Sequence, residues 1–135
     1  MADEIIVVDT NIIIDFVKKG DEILEKYFKL QKRNSINLYV SVITVFEYFS
    51  GININEKNLY QESEKLFERF YIQELNETIA KIAALLNFQK KLYRYIDTSD
   101  ILIAATSIYL NAPILTKNKK HFELIPNLKF APLKI

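Results

Sequence analysis

The chain has 135 residues, half of them hydrophobic and 26% charged, with a formal net charge of +1. That length is enough for one core-forming domain, taken here as residues 1–135, and the composition excludes a disordered chain. The absence of Cys excludes disulfides, thiolate zinc sites and Cys nucleophiles, so a metal would need oxygen ligands or the single His121.

The near-neutral balance provides no overall field to steer a polyanion, so nucleic-acid binding would rest on local patches. The start, "MADEIIVVD", is acidic where a signal peptide is basic. No apolar run approaches the roughly 18 residues of a bilayer span. A cytoplasmic protein with no membrane partner is expected. With two Gly and three Pro, long flexible linkers are not expected.

"EIIVVD" is a short β-branched run that suits a strand buried on both faces. "NIIIDFVKKG" reads as a helix stopped by Gly20. "DEILEKYFKLQKRN" is a second helix with Ile23, Leu24, Tyr27, Phe28 and Leu30 on its apolar side. "INLYVSVI" is the next strand, and "TVFEYFSG" a short helix closed by Gly51. "NEKNLYQESEKLFERF" is a charged surface helix and "YIQEL" a short strand. "NETIAKIAALLNFQKKLYRY" reads as one long helix, and "SDILIAATSIYLN" as the most hydrophobic one. "APILT" is a strand, "KNKKHFELI" a turn or short helix, and "NLKFA" a closing strand. Strands alternating with helices predict an α/β fold with a parallel sheet covered on both faces.

In such sheets the active crevice lies beyond the carboxyl ends of the strands. The first strand ends at Asp9, followed by Thr10 and Asn11. The second is followed by Thr44 and Glu47. The apolar helix opens with Asp97 and Asp100, and "APILT" ends in Thr116 with Asn118 two residues on. Four segments thus bring an acid or an amide to one edge, and hard divalent cations require several oxygen ligands.

Each residue also has a structural explanation. Asp9 can be an N-cap. Thr44 and Glu47 fit the capping box S/T-x-x-E. Asp97 can cap its helix while Asp100 complements the helix dipole. Asn118 can be a turn residue, Asp15 can be solvated or paired locally, and His121 reads as a surface histidine.

The segments "VVDTNIIIDF", "SVITVFEYFSG", "DILIAATSIYLNAPILTKNKKHF" and "NLKF" resemble, in order, the PIN-domain family and within it the VapC-like ribonuclease toxins. The resemblance implies a three-layer α/β/α sandwich with a mainly parallel sheet of about five strands. It implies a Mg²⁺- or Mn²⁺-dependent RNA endonuclease, in which the metal polarises the phosphodiester, activates water and stabilises the leaving 3′-oxygen. Its acids fall on Asp9, Glu47 and Asp100, and a fourth position, often Asp, falls on Asn118. Thr10 or Asn11 falls on the polar residue that supports the first Asp; Asp97 fits less firmly, and Thr116 is taken as supporting. The partners implied are an RNA substrate, an antitoxin protein and a second copy of the chain. Tyr48, Phe49 and Tyr60 form a candidate dimer surface, and the basic stretches "TKNKKH" and "QKKLYR" are candidate phosphate grips. A non-toxin PIN nuclease of RNA processing, a catalytically weak PIN fold acting as a binding module, and an acidic-pocket phosphoacceptor or phosphohydrolase remain alternatives.

Overall fold

A computed structural model describes residues 4–135; Asp3, one of the acidic residues on which the reading of the start rested, lies outside them. Four strands, β1 (Ile5–Val8), β2 (Asn37–Ser41), β3 (Tyr71–Gln73) and β4 (Ile114–Leu115), form a sheet in the order β3-β2-β1-β4, with every pairing parallel. The chain moves outward from β1 through β2 to β3, then crosses back to place β4 beside β1 on the other side. The strand order therefore reverses at β1, and crevices of α/β sheets open at such points.

Among the described residues, six α-helices lie between the strands, α1 (Thr10–Lys19), α2 (Glu22–Lys32), α3 (Val42–Ser50), α4 (Lys57–Phe67), α5 (Glu77–Lys90) and α6 (Thr98–Tyr109), and α7 (Lys119–Phe122) follows β4. The sheet lies between two separate cores, with Leu115 of β4 in one and Ile114 in the other, as a sheet covered on both sides requires. One core gathers Ile6, Val8, Leu38 and Val40 with Ile12, Leu24 and Phe28 of the first two helices. The other packs Ile114 against Ile79 and Ala83 of α5 and Ile103 and Ala104 of α6. The α/β/α expectation holds.

Local boundaries differ from the sequence reading in three places, each for a physical reason. The closing strand shrinks to a single parallel bridge between Ile114 and Phe130, so the sheet has four strands, not about five. Asn127 in the left-handed region and Pro126 precede it, and Pro132, which has no N–H to donate, follows it. The helix after β2 begins at Val42, because the Ser41 side chain accepts from the Ile43 amide and caps it. The long helix expected over 76–95 breaks at Lys91, a non-glycine residue with φ of 50°, and continues as a 3₁₀ turn over Leu92–Arg94. α1 ends as expected, at Gly20 with φ of 64°.

Candidate active site

Asp9 lies at the reversal point, at the carboxyl end of β1 and on the N-cap of α1. It is 4% exposed. One carboxylate oxygen accepts the Thr10 amide at 2.8 Å, and the other accepts the Thr116 hydroxyl at 2.7 Å from the end of β4. The cap reading of Asp9 is therefore true, but the carboxylate also joins two neighbouring strands across the crevice. Burial pushes its pKa up to about 6; the bonds from Thr116 and Thr10 oppose this, and the charges of Asp100 and Glu47 add to it.

Glu47 comes from α3. Its Oε1 accepts the Thr10 hydroxyl at 2.6 Å, and Thr10 Oγ1 lies 3.0 Å from Thr44 Oγ1. Each hydroxyl has one proton, so Thr44, Thr10 and Glu47 form a hydrogen-bonded chain. The capping-box reading of Thr44 and Glu47 fails, because Ser41 is the cap, Thr44 is the third helical residue and Glu47 is a turn further on. Thr44 is wholly buried, and its hydroxyl supports Thr10.

Asp100 is the third residue of α6 and half-buried. Burial raises its pKa, with Glu47 and Asp97 adding to the rise and the nearby His121 opposing it. Asp9, Glu47 and Asp100 are therefore close enough for their charges to act on one another, although they come from three separate segments. Asp97 occupies the N-cap position of α6 but makes no side-chain cap bond and is exposed.

Asn118 is exposed; its amide N–H donates to Thr116 Oγ1 at 3.0 Å, and its side-chain nitrogen lies 3.4 Å from His121 Nδ1. Thr116 thus links Asp9 to the loop that carries Asn118. His121 is not the free surface residue expected, since its Nε2 is buried without a hydrogen-bond partner among the described residues. Asn11 lies at the rim, its side-chain oxygen accepting the Lys117 amide at 3.4 Å.

Lys117 was expected only as part of a basic stretch. Its ammonium instead binds Asp15 at 2.6 Å and also Asp21, the N-cap of α2. These bonds hold the Asp15 and Asp21 carboxyls below their usual range and the Lys117 ammonium above its own. Lys117 thus ties the loop after β4 to both helices that follow β1 and is not free to grip a phosphate. Asp15 pairs with Lys19 one turn on, at 3.6 Å, and also with this residue far along the chain. Of the candidate dimer aromatics, Tyr48 is corrected, while Phe49 and Tyr60 are only partly buried. Tyr48 is buried, with its hydroxyl 2.8 Å from Ser63, and Phe49 packs on both Tyr48 and Tyr60.

No three acid or histidine side chains among the described residues are already gathered to hold a metal. Both Asp9 oxygens and one Glu47 oxygen are engaged by Thr116 and Thr10. In chemistry the donors fit a hard divalent cation, being carboxylate oxygens in a partly desolvated cleft where like charges already oppose ionisation.

Residues 6–127 match the PIN domain. The chain is 37% identical over 134 aligned residues to Ribonuclease VapC1 of Methanocaldococcus jannaschii, covering 96% of this chain and 85% of that one. It is 32% identical to Ribonuclease VapC1 of Haemophilus influenzae, covering 93% and 96% of the two chains. Among solved structures, VapBC-1 from nontypeable Haemophilus influenzae superposes with a TM-score of 0.74 at 30% identity, covering 97% and 99%. VapBC2 from Rickettsia felis, bound to a DNA fragment from its promoter, gives 0.82 at 23% identity over 94% and 97%, a likeness of fold. The extent of the family match, reaching from β1 past α7, and the identity to relatives named VapC ribonucleases lead to one conclusion: this chain belongs to the PIN-domain family.

Proposed function

We propose that this chain is a ribonuclease, the toxin of a toxin–antitoxin pair, and that it cleaves RNA internally with the help of Mg²⁺ or Mn²⁺. The observation that carries the reading is the arrangement where the sheet order reverses: Thr10 binds both Asp9 and Glu47, Thr116 binds Asp9, and the Asp100 carboxyl lies close enough to feel the Glu47 charge. The relatives named ribonuclease VapC, and the solved VapBC complexes that share the fold, support the ribonuclease and the antitoxin partner.

Asp9, Glu47 and Asp100 would hold the cation, and bound there it would supply charge to polarise the phosphodiester and lower the pKa of an attacking water. The chain's own residues do the rest. Thr116 and Thr10 fix the orientation of Asp9, and the Thr44–Thr10 pair fixes that of Glu47. Burial makes each negative charge more effective towards a cation, because little water competes. No histidine base is required.

Two apolar surfaces are available to protein partners. A groove of about 920 Å³ runs beside α3, α4 and β3, lined by Phe46, Phe49, Tyr60, Phe67, Tyr71 and Ile72, and suits a segment of an antitoxin. Leu85 and Phe88 stand exposed on α5 and suit a second copy of the chain. A catalytically weak binding module is the second reading, favoured by the uncharged amide at Asn118 and by carboxylates not yet gathered.

An RNA cleavage assay separates the two. The purified protein should cut unstructured RNA with Mg²⁺ or Mn²⁺ and stop in excess chelator. Undiminished cutting in chelator would remove the metal, and no cutting with either ion would favour the binding module.

Asn118→Asp should tighten binding of a cation beside the first, because it restores a negative oxygen ligand at the end of the Thr116 loop. Calorimetric titration with Mn²⁺ should show higher affinity or an added site. An unchanged isotherm would exclude Asn118 from the metal chemistry.

A further inference from the structure

The break that replaces the expected long helix creates a surface that the acid cluster does not account for. α5 stops at Lys90, Lys91 turns the chain in the left-handed region, and Leu92–Arg94 forms a 3₁₀ turn. Leu92 and Ile96 are 1% and 4% exposed and anchor this segment in the core beside α5 and α6. The Tyr93 amide donates to the Asn87 side chain at 2.9 Å, and the Tyr95 and Ile96 amides both donate to the Leu92 carbonyl at 2.8 Å. With both ends pinned, the residues between them face outward on a fixed frame.

Tyr93 and Tyr95 are 62% and 63% exposed, and Lys90, Lys91 and Arg94 are exposed beside them. The Arg94 guanidinium stands 5.8 Å from the Tyr93 ring centre. No carboxylate among the described residues pairs with any of these cations, whereas Lys117 of the other basic stretch is held by Asp15 and Asp21. Tyr95 precedes Asp100 by five residues, a reach of about 17 Å even if fully extended. Two exposed aromatic rings among unpaired cations, one of them within that chain length of Asp100, match the chemistry of an unpaired nucleic-acid strand. Phosphates take the cations, and unstacked bases take the rings. The centre of a protein interface is instead depleted in Lys.

We propose that the segment Lys90–Tyr95 is the single-strand RNA-binding lip of the acid cleft, with Tyr93 and Tyr95 stacking bases and Lys90, Lys91 and Arg94 binding the adjoining phosphates. This rests on the RNA-cleaving reading above and names the form of RNA that the site accepts. A duplex, with its bases already stacked, offers the rings nothing.

The test measures binding of a short fluorescein-labelled, unstructured RNA in chelator across a salt series, and cleavage of the same RNA in Mg²⁺. The variants are Tyr93→Ala/Tyr95→Ala, Tyr93→Phe/Tyr95→Phe and Lys91→Gln/Arg94→Gln. All these side chains are exposed, and circular dichroism confirms folding. The Ala pair should weaken binding by about tenfold or more at every salt concentration, and raise KM more than it lowers kcat. The Phe pair keeps the rings and should bind like the parent. The Gln pair should flatten the slope of log affinity against log salt by about 1.4, which is two phosphate contacts on a single strand. The Ala pair should leave binding to an RNA duplex of the same length unchanged, because only the rings are lost.

If the parent cleaves RNA and all three variants bind and cleave as it does, the lip is overturned and the nuclease reading stands. If the parent binds and the variants lose binding as described, but nothing is cleaved in Mg²⁺, the lip stands and the nuclease reading falls. A parent that neither binds nor cleaves single strands overturns both. An Ala pair that turns a dimer into a monomer while keeping RNA affinity assigns the surface to a protein interface and overturns the proposal.

Discussion

Asp100→Asn is expected to lower RNA cleavage by roughly a hundredfold or more, while Asp97→Asn leaves it nearly unchanged. The two acids lie three residues apart at the start of one helix and look alike in the sequence. In the structure they differ. Asp100 is half-buried and its carboxyl pKa is raised, first by burial and then by Glu47 across the cleft. Asp97 is exposed and makes no cap bond. If Asp100 holds the proposed cation, removing its charge would take away one ligand and with it several kcal/mol of transition-state stabilisation. Removing the Asp97 charge should cost less than the ~1 kcal/mol typical of a lost N-cap, since the cap bond is not made. Single-turnover rates with saturating Mg²⁺ compare the two. Equal losses would mean that the wrong acid has been assigned to the metal.

Asp9→Asn should abolish cleavage and yet stabilise the metal-free protein at pH 8. Burial raises the Asp9 pKa from 3.8 to about 6, so the native protein holds this proton more tightly than the unfolded chain does. Stability tied to the group is therefore present at low pH and lost as pH rises from about 4 through 6. At pH 8 the ionised, buried carboxylate costs up to about 3 kcal/mol. Asn has no charge to desolvate, and Thr116 can turn its hydroxyl to meet either side-chain atom. A net gain of about 2 kcal/mol is expected at pH 8, a rise of several degrees in Tm, shrinking as the pH falls to 5. Melts in chelator at both pH values check it. A variant that melts below the parent at pH 8 would mean that the hydrogen bonds of Asp9 outweigh its burial cost.

The placement of Asp9, Asp100 and Thr116 at one edge was legible in the sequence, because a parallel α/β pattern puts the strand ends and the starts of the helices between strands at the same edge. The position of Glu47 on the helix after the second strand was legible too, but its structural explanation as part of a capping box was wrong. Val42 and Ile43 extend the β-branched run of β2, which hid the true cap at Ser41 and made Thr44 look like a cap. Local pattern could not show that Thr10 donates to Glu47, a contact across 37 residues. The Lys117 clamp was hidden for the same reason, since its partners Asp15 and Asp21 lie 102 and 96 residues away. The break at Lys91 has no local sign either: lysine rarely takes a left-handed conformation, and here the buried Leu92 and Ile96 hold it there. The closing strand over "NLKFA" was over-read, although the flanking prolines were visible.

The claim that Asp9, Glu47 and Asp100 act together on one cation is tested most directly by thermal melts of the parent and Glu47→Gln, with and without Mg²⁺. Gln keeps the shape of Glu47 and can still accept from the Thr10 hydroxyl, but removes the charge that opposes Asp9 and Asp100. Without metal the variant should melt at the parent temperature or higher. Binding to the native state stabilises by about 2.7 kcal/mol at a hundred times the dissociation constant, so the parent should gain several degrees with Mg²⁺. The variant should lose most of that gain. If it keeps the full Mg²⁺-induced rise, Glu47 does not share a cation with Asp9 and Asp100, and the site described here is wrong.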